Sequence, residues 1–224
     1  MGVYHPSAQG TESLRCGDGM VLVERSAEKY LLLNDELAIS YRYTGDRWRH
    51  DISVLCPDGR EITVASDEGA DAAGRLTSPA LQDLRLEELG NGVFEFQLLG
   101  QGNSAIYSAA VRFDGPARRI DFDYCARAAK SGATVCTASR YRICGENLAV
   151  EERPPFALAL ILGQGPAIEF ASCGNDAPSK TECRCIDDGT SPLVVIGACA
   201  VPETESPKTN IRWRYTLSWR AAAP

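Results

Sequence analysis

The chain has 224 residues, nine cysteines and a formal net charge of −7. That length is within reach of one all-β domain, and the acidic balance argues against bulk attraction to nucleic acid or to anionic lipid, both of which need a positive field. No run approaches the roughly 18 apolar residues of a membrane helix, so membrane insertion is not expected.

Residues 1–18 read as an N-terminal extended segment, followed by one domain over 19–224. Residues 1–19 lack the apolar stretch of a secretory signal. From there the chain alternates apolar and polar residues in short bursts separated by turn residues. Strands are expected near 19–24, 37–43, 51–56, 61–66, 81–89, 93–99, 104–113, 118–127, 139–144, 148–152, 156–162, 167–173, 193–201 and 211–219, about fourteen at sandwich-like spacing. A short helix is equally conceivable over 26–35.

The first candidate site is the stretch Tyr41-Arg42-Tyr43-Thr44-Gly45-Asp46-Arg47-Trp48-Arg49-His50-Asp51. Tyr41, Tyr43, Trp48 and His50 gather rings and hydrogen-bonding groups around one turn. Rings on a loop can stack on the apolar face of a sugar while neighbouring polar groups bind its hydroxyls. The competing reading is that Tyr41 and Tyr43 continue the buried face of Leu37 and Ile39, with Trp48 covering the sandwich edge. Cys56 shares the apolar face of Ile52 and Val54 and reads as core.

Pro57-Asp58-Gly59, Gly90-Asn91-Gly92 and Asp114-Gly115-Pro116 are turn signals that join successive strands as antiparallel hairpins. Residues 66–78, rich in Gly, Ala and Asp, read as the longest flexible loop. Residues 78–89 admit a helix, with Ser78 as cap, Pro79 in the first turn and Gly90 as stop. The hairpin is preferred, because Leu86 and Leu89 rotate off the helical face of Leu81 and Leu84, and Phe94, Phe96 and Leu98 alternate just after the turn.

The second candidate site is Arg119-Ile120-Asp121-Phe122-Asp123-Tyr124-Cys125-Ala126-Arg127. Period two sends Ile120, Phe122 and Tyr124 into the core and aligns Arg119, Asp121, Asp123, Cys125 and Arg127 on the opposite face. In a concavity, such carboxylates and guanidinium groups bind sugar hydroxyls or act as acid and base. On a flat face they form a solvated charge ladder. Residues 156–162 are apolar on both faces and read as a central strand, its alanines allowing a second layer close approach.

Cys173, Cys183, Cys185 and Cys199 flank or sit in a polar stretch, 174–189, that reads as a surface loop. Disulfides, a four-thiolate zinc site and plain reduced thiols compete there. The spacing lacks the usual zinc-knuckle pattern, so no metal or other cofactor is assigned. Disulfides would favour a secreted or periplasmic setting, a native N-terminus the cytoplasm. Finally, Ile211-Arg212-Trp213-Arg214-Tyr215-Thr216-Leu217-Ser218-Trp219 alternates without a fault, which predicts burial of Ile211, Trp213, Tyr215, Leu217 and Trp219.

No catalytic motif accompanies this pattern. His5 and His50 are the two histidines, which excludes a multi-histidine metal site, and the paired glycines at strand ends have no helix after them to cradle phosphate. The expected architecture is a large antiparallel β-sandwich, with a barrel as the alternative. The leading functional expectation is a non-catalytic binding or interaction module, with carbohydrate as its ligand and no nucleic-acid partner. The alternatives are a sandwich-type enzyme acting on a sugar or related polar metabolite, using Asp121, Asp123 or His50, and a disulfide-stapled structural domain.

Overall fold

Alternating sequences bury one face of each strand, so a chain made of them folds into layers whose apolar faces meet. The computed structural model describes residues 10–16, 19–34, 36–55, 59, 61–69, 77–102, 105–129, 135–145, 148–153, 157–162, 167–173, 181–187, 191–198 and 210–220. Among them are seventeen strands and no helix. They are β1 (Gly10–Cys16), β2 (Gly19–Arg25), β3 (Lys29–Leu33), β4 (Leu37–Tyr43), β5 (Trp48–Leu55), β6 (Glu61–Ser66), β7 (Asp83–Gly90), β8 (Val93–Gln101) and β9 (Ala105–Asp114). Then come β10 (Arg119–Ala128), β11 (Ala138–Cys144), β12 (Leu148–Arg153), β13 (Ala157–Leu162), β14 (Ala167–Ser172), β15 (Thr181–Asp187), β16 (Pro192–Ala198) and β17 (Asn210–Arg220).

Two open antiparallel sheets form the sandwich. One has nine strands in the order β1-β2-β3-β4-β5-β6-β11-β16-β15, the other eight in the order β12-β13-β14-β17-β10-β9-β8-β7. Among the described residues the first and last strands of each order pair on one side only, so neither sheet closes into the alternative barrel. The core between them is rich in rings. Phe122 stacks on Tyr215 at 4.6 Å and Tyr124 on Trp213 at 5.3 Å, pairs that follow from the register Phe122↔Tyr215 and Tyr124↔Trp213. Trp213, Tyr215, Leu217 and Trp219 are buried, whereas Ile211, near the start of β17, is half-buried.

Every strand expected from alternation has a counterpart, with ends shifted by at most three residues and with 37–43 and 61–66 matched at both ends; residues 56, 104, 156 and 199–201 of those expectations lie outside the described residues, and β1, β3 and β15 are additional. β1 pairs with β2 and is the edge of the nine-stranded sheet. Neither conceivable helix forms. Residues 29–33 are β3, turned tightly into β4 by Asn34, whose side-chain oxygen accepts from the amides of Glu36 at 3.1 Å and Leu37 at 2.8 Å. Residues 83–90 are β7, held in register with β8 across a two-residue turn in which Asn91 and Gly92 both have positive φ, 54° and 74°. That is the type I′ geometry whose twist matches a hairpin.

β13 lies second from the edge of its sheet rather than at its centre. Its apolar character has a local cause, since Leu158 and Leu160 face the core and Ala159 is buried as well. The supposed loop 174–189 contains β15, paired with β16 from Thr181↔Ala198 to Asp187↔Pro192. Its alternation was hidden because cysteines and a threonine occupy the inward positions.

Candidate functional site

Two polar constellations stand out, one inside the sandwich and one on its outer surface. The inner one grows from the β4–β5 hairpin. Inward alternation on β4 and β5 pairs Tyr41 with His50 and Tyr43 with Trp48 across the strands. Tyr41, Trp48 and His50 are buried, and Tyr43 is 37% exposed at the strand end. The rings thus meet one another and the opposite sheet instead of forming a platform on a loop: Tyr41 lies 4.4 Å from Phe96 and 5.2 Å from His50, and Trp48 lies 5.5 Å from Tyr30.

His50 sits in a hydrogen-bond chain that crosses the core. Its Nε2 lies 3.0 Å from the Tyr141 hydroxyl, which is in close hydrogen-bond contact with the hydroxyl of Tyr215 on the other sheet. The His50 amide donates to Ser66 Oγ at 3.0 Å, and Trp213 Nε1 donates to Ser139 Oγ at 3.1 Å. Burial lowers the His50 pKa to about 4 against the ordinary 6.5, so the ring is neutral at pH 7 and takes part as a hydrogen-bonding group. Burial likewise raises the Tyr41, Tyr141 and Tyr215 hydroxyls well above their ordinary range.

Glu68 completes this end of the sandwich. Ile62, Val64 and Ser66 are buried on β6, and the same two-residue parity carried two positions past the strand turns Glu68 toward the core. Burial raises its carboxyl to about 7, with the Ser66 hydrogen bond and the positive charges of Arg47 and Arg49 opposing that shift. Tyr41, His50, Ser66, Glu68, Tyr124 and Arg140 are among the residues lining a cavity of about 10 Å³, room for about one water. Ser78 closes it from above: its hydroxyl donates to the Asp67 carbonyl at 3.1 Å and accepts from the Arg140 amide at 3.2 Å. Sequence reading does not single out Glu68, because 66–78 looks like a flexible loop. The parity of β6 is the one signal that finds it.

The outer constellation is the row on β10. Arg119 and Arg127 are exposed, and Asp121, Asp123 and Cys125 are half-buried. Neighbouring strands add to the row. Arg112 on β9 stands opposite Asp121, and Arg214 and Arg212 on β17 stand opposite Asp123 and Cys125. The Asp121 carboxylate takes Arg119 at 3.1 Å and the Thr216 hydroxyl at 2.9 Å. Asp123 is gripped by both forks of Arg212, one at 2.6 Å, with Arg214 at 3.3 Å. The carboxylates are therefore already engaged, while Arg112 reaches Asp114 at 4.0 Å. These two β strands and their neighbour bring together five guanidinium groups (Arg112, Arg119, Arg127, Arg212, Arg214) and three carboxylates (Asp114, Asp121, Asp123). The turn residues Tyr41, Trp48 and His50 belong to the interior and are not joined to this row.

Among the described residues no disulfide joins two cysteines, and Cys125, Cys136, Cys144 and Cys173 are free thiols. Cys183 and Cys185 pack inward from β15 against the core, so they are not the exposed loop thiols the polar stretch suggests. The thiol of Cys173 lies 2.6 Å from the Thr216 hydroxyl. Cys56 and Cys199 lie outside the described residues. No group of three or more metal-type ligands comes together among the described residues, and no helix among them is long and apolar enough to cross a membrane. No protein-family model matches the chain, and no curated protein is significantly similar to it.

Proposed function

We propose that the protein is a non-catalytic binding module whose ligand face is the outer surface of β9, β10 and β17, and that its ligand is an acidic carbohydrate. The observation that carries this reading is the local excess of guanidinium over carboxylate in a chain of net charge −7. On the outer faces of β9, β10 and β17 five arginines stand against three aspartates, flanked by Glu95 of β8 opposite Arg112 and Glu169 of β14 opposite Ser218. Arginine binds carboxylate and sulfate groups bidentately and from a fixed fork. The paired Asp121 and Asp123 hold Arg119, Arg212 and Arg214 in place, which reduces the rotamer entropy a ligand would otherwise have to remove.

A binding role is favoured over a catalytic one because a sugar could not reach the inner acid and histidine. Their cavity admits about one water, and a reacting group must come within about 3 Å of its acid or base. Calorimetry with heparin or polygalacturonate, against neutral dextran, tests the reading. Binding of the acidic polymers alone is expected, weakening steeply as salt rises from about 50 to about 200 mM. Arg112→Glu with Arg127→Glu should reduce affinity at least about tenfold, about 1.4 kcal/mol, without changing the melting temperature. Equal binding of dextran, or undiminished binding by the double variant, would sink the reading.

A further inference from the structure

Three buried polar atoms around the inner cavity have no hydrogen-bond partner among the described residues: Glu68 Oε2, the Tyr41 hydroxyl and Arg140 Nε. All three residues line the same water-sized space. An unpartnered buried polar group is destabilising, so three around one cavity define a site for a species that can both donate and accept. A water needs two to four such partners. We propose that this cavity is a proton-linked hydration site, in which one water joins Glu68, Tyr41 and Arg140, and loss of the Glu68 proton loosens this end of the sandwich.

The groups facing Glu68 set the sign of the effect. Arg47 from the β4–β5 turn and Arg49 from β5 favour the carboxylate, while Asp67 beside it disfavours the carboxylate, and Arg140 from β11 lines the same cavity. Tyr41 from β4, Tyr124 from β10 and the Cys136 thiol just before β11 are neutral, and burial holds each of them so. His50 from β5 is neutral as well. Burial outweighs the guanidinium groups, and the carboxyl of Glu68 titrates near neutrality. As an acid it donates one hydrogen bond and leaves its other oxygen to accept. As a carboxylate it brings an incompletely solvated charge into a space that holds one water. The local structure that this charge strains is the set of bonds from Thr77 and Ser78 to the Asp67 carbonyl, at 2.8 and 3.1 Å.

The test uses the full chain labelled with carbon-13 and nitrogen-15. A Glu68 carboxyl titration midpoint close to 7 is expected, together with a long-lived water showing cross-peaks to the Tyr41 hydroxyl that vanish in Tyr41→Phe. Amide protection at Asp67 and at residues 77–78, corrected for base catalysis, should fall severalfold between about pH 6 and pH 8 in the wild type and stay level in Glu68→Gln. A Glu68 midpoint in the ordinary range near 4.5, the absence of the water signal, or the same pH dependence in Glu68→Gln would overturn the proposal. Should Glu68→Gln fail to fold, the wild-type titration and water signal still decide it.

Discussion

At His50 the interior decides the charge. Its folded pKa of about 4 lies below the ordinary 6.5, so as pH falls the unfolded chain takes up the proton first. The stability this residue contributes is whole above about pH 6.5 and is lost as pH falls toward 4, by about 3 kcal/mol at the limit. Glu68 works the other way. Its folded value of about 7 exceeds 4.5, so its contribution is whole below about pH 4.5 and is lost as pH rises through 7. Urea denaturation across pH 4 to 8 should therefore show Glu68→Gln gaining on the wild type as pH rises, and His50→Asn gaining as pH falls. Parallel curves for all three proteins would refute both assignments. Elsewhere in the core, Trp213→Ala should cost about 3–5 kcal/mol, because the ring is 1% exposed and stacked on Tyr124. A loss below about 1 kcal/mol would mean that the ring is not packed there.

Among the elements, β8 shows a constraint that composition does not reveal. A Cβ at Gly100 would lie 1.8 Å from the Ala80 carbonyl oxygen and 2.7 Å from Leu81 Cα. Both are backbone atoms of the segment that crosses this strand before β7. That crossing is fastened on its other side, where the Trp48 amide donates to the Leu81 carbonyl at 2.7 Å. Gly100→Ala must therefore push the crossing chain off the sheet, and a loss of about 3 kcal/mol or more in equilibrium unfolding is expected. Near-neutral behaviour would show that the crossing segment is not fixed there. The same contrast separates the cysteines. Cys144 is exposed at the end of β11, whereas burial raises the Cys136 thiol above its ordinary range. Brief iodoacetamide treatment of the native protein, read by peptide mass spectrometry, should modify Cys144 well before Cys136. The reverse order would place Cys136 at the surface.

For the whole molecule, the two sheets share one core and are tied through it by the His50–Tyr141–Tyr215 chain. Trp48 belongs to the nine-stranded sheet, and Trp213 and Trp219 to the eight-stranded one. Unfolding followed by tryptophan fluorescence and by far-ultraviolet dichroism should therefore coincide in one transition. Separate midpoints would show that the sheets unfold independently.

The strands, their inward faces and the hairpin turns were legible in the amino-acid order because they are local. A period of two and an Asn-Gly pair act within a few residues, so β17 and the β7–β8 turn could be read directly. β3 and β15 escaped because Leu31 and Leu33 blur the first alternation and small or thiol side chains mask the second. What lies opposite what could not be read. Tyr41, Trp48 and His50 look alike on a surface loop or in a core. Only the closure of one sheet on the other made them interior and set Glu68 beside them. The same holds for the outer row, where Asp121 and Asp123 are visible in one strand but Arg112, Arg212 and Arg214 arrive from other strands, Arg212 lying 89 residues from the Asp123 it binds. Charge and solvation at both places depend on such long-range neighbours, and a chain's local pattern does not contain them.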